Sequence, residues 1–168
     1  KALGTASEMG IVHGDVKPSN ILRASMDDMC TDWKLGDWGL ATLINSENRV
    51  TTELYTMPYR PPELMNTTSD YVDPNTVFNQ TADVWAFGIT MLDIVKGDML
   101  LRCCTKKEML RAWKAGVLEQ TIAELQTNSI ITMIAPKLCD VVQEMLTRDL
   151  RKRPSVKDLL LRYSDLFC

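Results

Sequence analysis

The sequence predicts a mainly α domain with a small β element near its N-terminal end. Three observations carry that prediction. From residue 81 onward, apolar residues recur at helical spacing. Before residue 40, two apolar runs of strand length, "ILRA" (21–24) and "DWKLGDW" (32–38), flank a polar link, "SMDDMCT". Between these regions, residues 39–82 show no periodicity, hold Pro58, Pro61, Pro62 and Pro74, and are rich in Thr, Asn and Asp. That is loop chemistry, and a loop so long inside a compact domain is usually functional or disordered.

The elements follow in order. Residues 2–9 read as the end of a helix stopped near Gly10. "TADVWAFGITMLDIV" (81–95) is apolar on nearly every side, so it predicts a helix buried all round. "KKEMLRAW" (106–113) suits a short helix. "APKLCDVVQEML" (135–146) places Leu138, Val141, Val142, Met145 and Leu146 on one core-facing stripe, with Pro136 suited to the first turn. "PSVKDLLLRY" (154–163) opens with Ser155 and Asp158 at capping-box spacing. No internal repeat or low-complexity tract interrupts this order.

The bulk composition narrows the classes. At 168 residues the chain is one domain in size and can bury a real core. Its 45% hydrophobic and 24% charged residues are ordinary for a globular protein. A net charge of -3 gives no electrostatic reason for a nucleic-acid partner. No apolar run approaches the roughly 18 residues of a membrane helix, so no membrane partner is expected. The start, "KALGTASEMGIV", lacks an initiator Met and a leader-like pattern, and reads as a piece of a longer chain. Five cysteines form no CxxC pair, and one histidine makes a zinc site unexpected. The odd count suggests reduced, mostly buried thiols and an intracellular location, in cytoplasm or nucleus.

The chemistry sits in two loops. "HGDVKPSN" (13–20) contains the only histidine in the chain. Asp15 can act as a general base. Lys17 lies two residues on and shares its side in an extended segment. A carboxylate beside an ammonium stays ionised, while the ammonium can hold an anion. Asn20 offers an amide oxygen suited to Mg2+. Taken alone, the segment could also be a proline-containing polar turn. In "LGDWGLA" (35–41), Asp37 directly follows an apolar strand, a rigid place for a metal-binding carboxylate. Alone, that too reads as a turn.

Together these pieces resemble the eukaryotic-type protein kinase family, whose catalytic loop reads H-R-D-L-x-x-x-N and whose metal loop reads D-F-G. His13, Asp15, Asn20, Asp37 and Gly39 match in order. Pro61-Pro62-Glu63 resembles the family's A-P-E, "DVWAFG" (83–88) its buried central helix, and "RKRPS" (151–155) its closing Arg-Pro motif. The resemblance runs from about residue 3 to residue 166. It implies a kinase-like fold, specifically the C-terminal (large) lobe, with a catalytic loop at 13–20, a metal loop at 37–39, an activation segment at 37–63 and a helical subdomain at 81–168.

The resemblance also implies roles. Asp15 would orient and deprotonate a substrate hydroxyl. Asn20 and Asp37 would hold Mg2+ ions bridging the ATP phosphates. Lys17 and Thr56 match residues typical of serine/threonine kinases, and Lys17 would steady the transferred phosphate. Leu22 would line the adenine floor. His13 and Trp38 would be structural. Glu63 and Arg153 would form a buried ion pair, and Asp83 would reach the backbone of the 13–20 loop. The "YRPPE" ending (59–63) is similar to the cyclin-dependent and MAP kinase group, although "MNTTSDYVDPNTVFNQ" stands as an unusual link before the buried helix.

Three departures qualify the picture. No G-x-G-x-x-G precedes residue 13, so the N-terminal lobe is expected to be a missing partner of this one, and the 168 residues alone are expected to show little activity. Gly14 replaces the family arginine that receives an activation-segment phosphate, and Thr42 stands where a second basic residue often sits. Thr51 occupies the expected phosphosite, and its modification is expected to matter little. The leading expectation is ATP-dependent phosphoryl transfer to protein serine or threonine by the full-length protein. The alternatives are a pseudokinase, or a kinase-like scaffold built of helices.

Overall fold

The computed structural model describes residues 1–24, 32–44, 54–65, 79–102 and 105–166. The short helix α1 (Ala2–Glu8) ends as expected, at Met9 and a left-handed Gly10. Four short strands follow. β1 (Ile11–Val12) pairs antiparallel with β4 (Thr42–Leu43), and β2 (Ile21–Arg23) pairs antiparallel with β3 (Trp33–Leu35). The β1–β4 pair was not expected, because two-residue strands are too short to show alternation. The predicted strand over 32–38 is shorter in the structure. It stops at Leu35; Asp37 turns left-handed (φ 57°, ψ 68°) and a 3₁₀ turn covers Trp38–Leu40.

Helix α2 (Thr81–Lys96) passes through the core. Trp85, Ala86, Ile89 and Leu92 are fully buried along it, and Gly97 closes it in the left-handed conformation. Val12, Val16, Tyr55, Met65, Leu101 and Met109 complete the main cluster around it. A satellite cluster of Val84, Val141, Met145 and Leu159 joins α2 to α6 (Leu138–Met145) and α7 (Val156–Arg162). The stripe predicted for α6 is the face that packs. Pro136, however, stands in the turn before α6 rather than in its first turn.

Capping chemistry sets the remaining helices. α3 (Lys106–Lys114) starts on a Thr105–Glu108 capping box, and α7 starts on the Ser155–Asp158 box. Two helices, α4 (Val117–Thr127) and α5 (Ser129–Ile134), were not expected. The α5 sequence, "SIITMI", is β-branched and favours a strand locally. Asn128 overrides that preference by accepting hydrogen bonds from the Ile130 and Ile131 amides at 3.0 and 3.1 Å. Among the described residues, no helix is long and apolar enough to cross a membrane.

Gly88 lets α2 and α6 meet closely. A Cβ there would lie 2.9 Å from Leu146 Cδ2 and 3.0 Å from Met145 Cβ. The Met145 atom is near its own backbone and cannot yield cheaply. Gly88→Val is therefore expected to destabilise the fold by about 2–3 kcal/mol, read as a lower urea midpoint at unchanged slope.

Candidate active site

The site is built where the 13–20 loop meets two other loops. β2 and β3 run antiparallel with Ile21 opposite Leu35, so Asn20 and Asp37 flank the same end of the hairpin. The Gly36 amide donates to the Asn20 carbonyl at 2.8 Å and locks that end. The close approach requires glycine: a Cβ on Gly36 would sit 2.7 Å from Leu22 Cδ1.

Asp15 is buried and receives donors on both oxygens. Thr56 donates to Oδ1 from its amide at 3.1 Å and its hydroxyl at 2.7 Å. Lys17 Nζ pairs with Oδ2 at 2.7 Å, and Asn20 Nδ2 donates to the same oxygen at 3.3 Å. Lys17 lies in extended backbone, which puts its side chain beside Asp15 as the two-residue spacing required. Lys17 also donates to Thr56 Oγ1 at 3.0 Å, closing the ring. Burial alone would raise the Asp15 carboxyl, but the hydrogen bonds from Lys17 and Thr56 outweigh it and hold the group below its ordinary value.

Asn20 Nδ2 faces two acceptors, the Asp15 carbonyl at 2.8 Å and Asp15 Oδ2. That orientation turns the amide oxygen away from Asp15 and leaves it available as a ligand. Asp37, two residues beyond the end of β3, is exposed. A Cβ on Gly39 would lie 3.4 Å from Asp37 Oδ1, so the glycine leaves that carboxylate room. Leu22 is 52% exposed and bordered by Gly36. His13 is fully buried, with Nε2 at 2.9 Å from the Gly36 carbonyl and its ring edge-on to Trp38 at 4.6 Å.

Two buried charges fasten these loops to the helices. The Asp83 carboxylate accepts from the His13 amide at 2.7 Å, the Gly14 amide at 3.1 Å and the Tyr55 hydroxyl at 2.9 Å. Burial raises its pKa, and these donors hold the rise back. Arg153 and Glu63 form a bidentate pair at 2.8 and 2.9 Å, with the Arg153 side chain fully buried. Arg153 also donates to the carbonyls of Thr147 and Thr81 and lies 5.1 Å over the Trp85 ring. Thus both long-range contacts expected of Asp83, and of Glu63 with Arg153, are present. Thr51 lies outside the described residues, as do most of the link 65–80 and Cys30, Cys103, Cys104 and Cys168. Cys139 is free and buried, and burial raises its thiol.

The family model for the protein kinase domain matches residues 1–163. The chain belongs to the protein kinase family. It is 36% identical over 92 residues to mitogen-activated protein kinase kinase 8 of Arabidopsis thaliana, covering 54% of this chain and 28% of that one. It is 29% identical over 160 residues to a Wee1-like protein kinase of Arabidopsis thaliana, covering 95% of this chain and 27% of that one. The fold is also that of a chain in the CAK complex of Chaetomium thermophilum bound to ATP-gamma-S, at a TM-score of 0.74 and 22% identity, covering 95% of this chain and 54% of that chain. The chain thus spans well under half the length of these curated kinase relatives.

Within this kinase fold, sequence reasoning missed the residues that join distant segments. Tyr55 is buried with a positive φ of 63°, donates its hydroxyl to Asp83, and donates its amide to the Gly14 carbonyl at 2.6 Å. Tyr59 donates to Asp93 at 2.7 Å, and the Leu100 amide donates to the other Asp93 oxygen. Neither tyrosine sits in a motif that announces its partner.

Two outcomes test this geometry. In Lys17→Met, burial is no longer offset by the ammonium, so the Asp15 carboxyl is expected to titrate at higher pH in a carbon-13 NMR titration. The sign for stability follows. A lowered carboxyl pKa stabilises the fold above the unfolded value and loses that stabilisation as pH falls through the folded value. With its folded value moved back towards the unfolded one, the Lys17→Met variant should be less stable than the parent at neutral pH and lose less stability on acidification. Asp83→Ala strands two buried amides and a tyrosine hydroxyl, and is expected to cost about 3 kcal/mol or more in denaturant unfolding.

Proposed function

We propose that the full-length protein is a serine/threonine protein kinase, transferring the ATP γ-phosphate to protein Ser or Thr hydroxyls. The observation that carries this reading is the closed ring of Asp15, Lys17, Asn20 and Thr56. Asp15 is the group that orients and receives the proton of the attacking hydroxyl. Its ionised state, held by Lys17 and Thr56, keeps it ready to accept. Lys17 is the cation for the transferred phosphoryl group, and its pairing with Thr56 favours a Ser/Thr substrate. Both Asp15 oxygens are engaged in the ring, so a substrate hydroxyl gains its place when Lys17 turns to a phosphate.

The donor set fits Mg2+. Asn20 presents an amide oxygen and Asp37 an exposed carboxylate, both at one end of the hairpin, and Mg2+ takes few protein ligands beside water and phosphate. Bound Mg2+ would neutralise charge on the ATP phosphates. Leu22 offers an apolar contact for the adenine ring. The upstream lobe is proposed to complete the nucleotide site over the exposed Leu22, Trp38, Leu40 and Leu43. The proposal includes an intracellular location, in cytoplasm or nucleus, where ATP is supplied.

Incubation of the full-length protein with ATP, Mg2+ and mixed peptide substrates checks the reading. Phosphoserine and phosphothreonine are expected without phosphotyrosine. Asp15→Asn should lower kcat by about a hundredfold or more with folding intact. A folded protein that binds nucleotide and transfers nothing would instead fit a scaffold.

A further inference from the structure

The outer side of α3 carries a feature that phosphoryl transfer does not use. A concavity of about 480 Å³ is lined by Lys106, Lys107, Leu110, Arg111 and Lys114. No acidic side chain lines it, although the chain as a whole carries a net charge of -3. Lys107, Arg111 and Lys114 fall at helical spacings of four and three and so share a face. Among the described residues, none of these three takes part in an ion pair.

Helix stability does not account for the cluster. Arg111 and Lys114 lie in the last turn, where the helix dipole favours cations. Lys106 and Lys107 open the first turn, where the same dipole opposes them. Lys107 and Arg111, four apart, repel one another. α3 is held instead by the Thr105–Glu108 box and by Met109 and Trp113, buried on its inner side. Lys107 is therefore kept at a position that both the dipole and Arg111 oppose.

We infer that this groove docks an acidic protein segment carrying an apolar residue among its carboxylates. The cations supply the charge complement, and the half-buried Leu110 supplies an apolar seat between them. Nine residues of helix span about 13 Å, the reach of roughly four residues of extended peptide. A long anionic polymer fits less well, since the acidic remainder of the chain repels it.

Fluorescence anisotropy on the full-length protein tests this, with a short labelled peptide of glutamates around a single leucine. Binding is expected, weakening as salt rises. The Lys107→Glu/Arg111→Glu variant should lose about tenfold or more in affinity, while its phosphorylation of a short peptide substrate stays unchanged. The milder Lys107→Gln/Arg111→Gln variant, with unchanged circular dichroism, should lose affinity in the same direction. Absence of binding, or equal affinity in both variants, overturns the inference. So does tighter binding of a labelled single-stranded oligonucleotide or of phosphatidylserine vesicles than of the peptide. Because the readout is binding, this result stands apart from whether the protein transfers phosphate.

Discussion

The structure depends on one buried carboxylate. Asp83 sits in the first turn of α2, the helix that runs through the core, and it holds three groups from two other segments. A bare carboxylate at this depth would be costly, and burial does push its pKa up. Two backbone amides and a tyrosine hydroxyl return most of that cost, and they do so only in one arrangement. The position in the first turn adds favourable dipole interaction. The burial penalty thus becomes a positional constraint: the loop bearing Asp15 cannot shift without stranding a charge.

The Arg153–Glu63 pair is the second such constraint, and it converges on the same helix. Arg153 reaches the Thr81 carbonyl at the start of α2 and covers the Trp85 ring, while its fork grips Glu63 in the turn Pro62–Leu64. One clamp fixes the loop before the site and the other fixes the segment after it. Between them, Thr56 arrives at Asp15 with both donors aimed at one oxygen. The polar ring needs this outside support. Its members are a few hydrogen bonds that tie the buried Asp15 and Asn20 to the more exposed Lys17 and Thr56, which alone would not hold a long loop in register.

What could be read from the sequence follows the range of each interaction. Asp15 and Lys17 lie two residues apart, so extended backbone alone makes them neighbours. The α6 stripe and the Ser155–Asp158 cap are likewise local, and both appear as expected. Thr56 and the Asp83 and Arg153 contacts span 41 to 90 residues and were legible only through a family resemblance. The β1–β4 pair, the positive φ of Tyr55 and the Tyr59–Asp93 bond had neither local period nor motif behind them. In α5, local propensity pointed to a strand, and the Asn128 cap decided for a helix.

Gly14 shows how a substitution read as a loss can be a construction. In sequence terms it removes a receptor for phosphate. In the structure it takes a φ of +79°, and an added Cβ would lie 2.9 Å from Leu54 Cδ2 and 3.0 Å from the Leu40 carbonyl oxygen. An arginine could not enter with this backbone, since the Leu40 main chain would have to move and the left-handed φ would add strain. The space a side chain would fill is occupied by Leu40 and Leu54 of the 37–63 segment. The Gly14 carbonyl accepts from Tyr55, and the Gly14 amide is held by Asp83. The segment is therefore fastened to the 13–20 loop by main-chain hydrogen bonds and apolar contact, an attachment that needs no added charge.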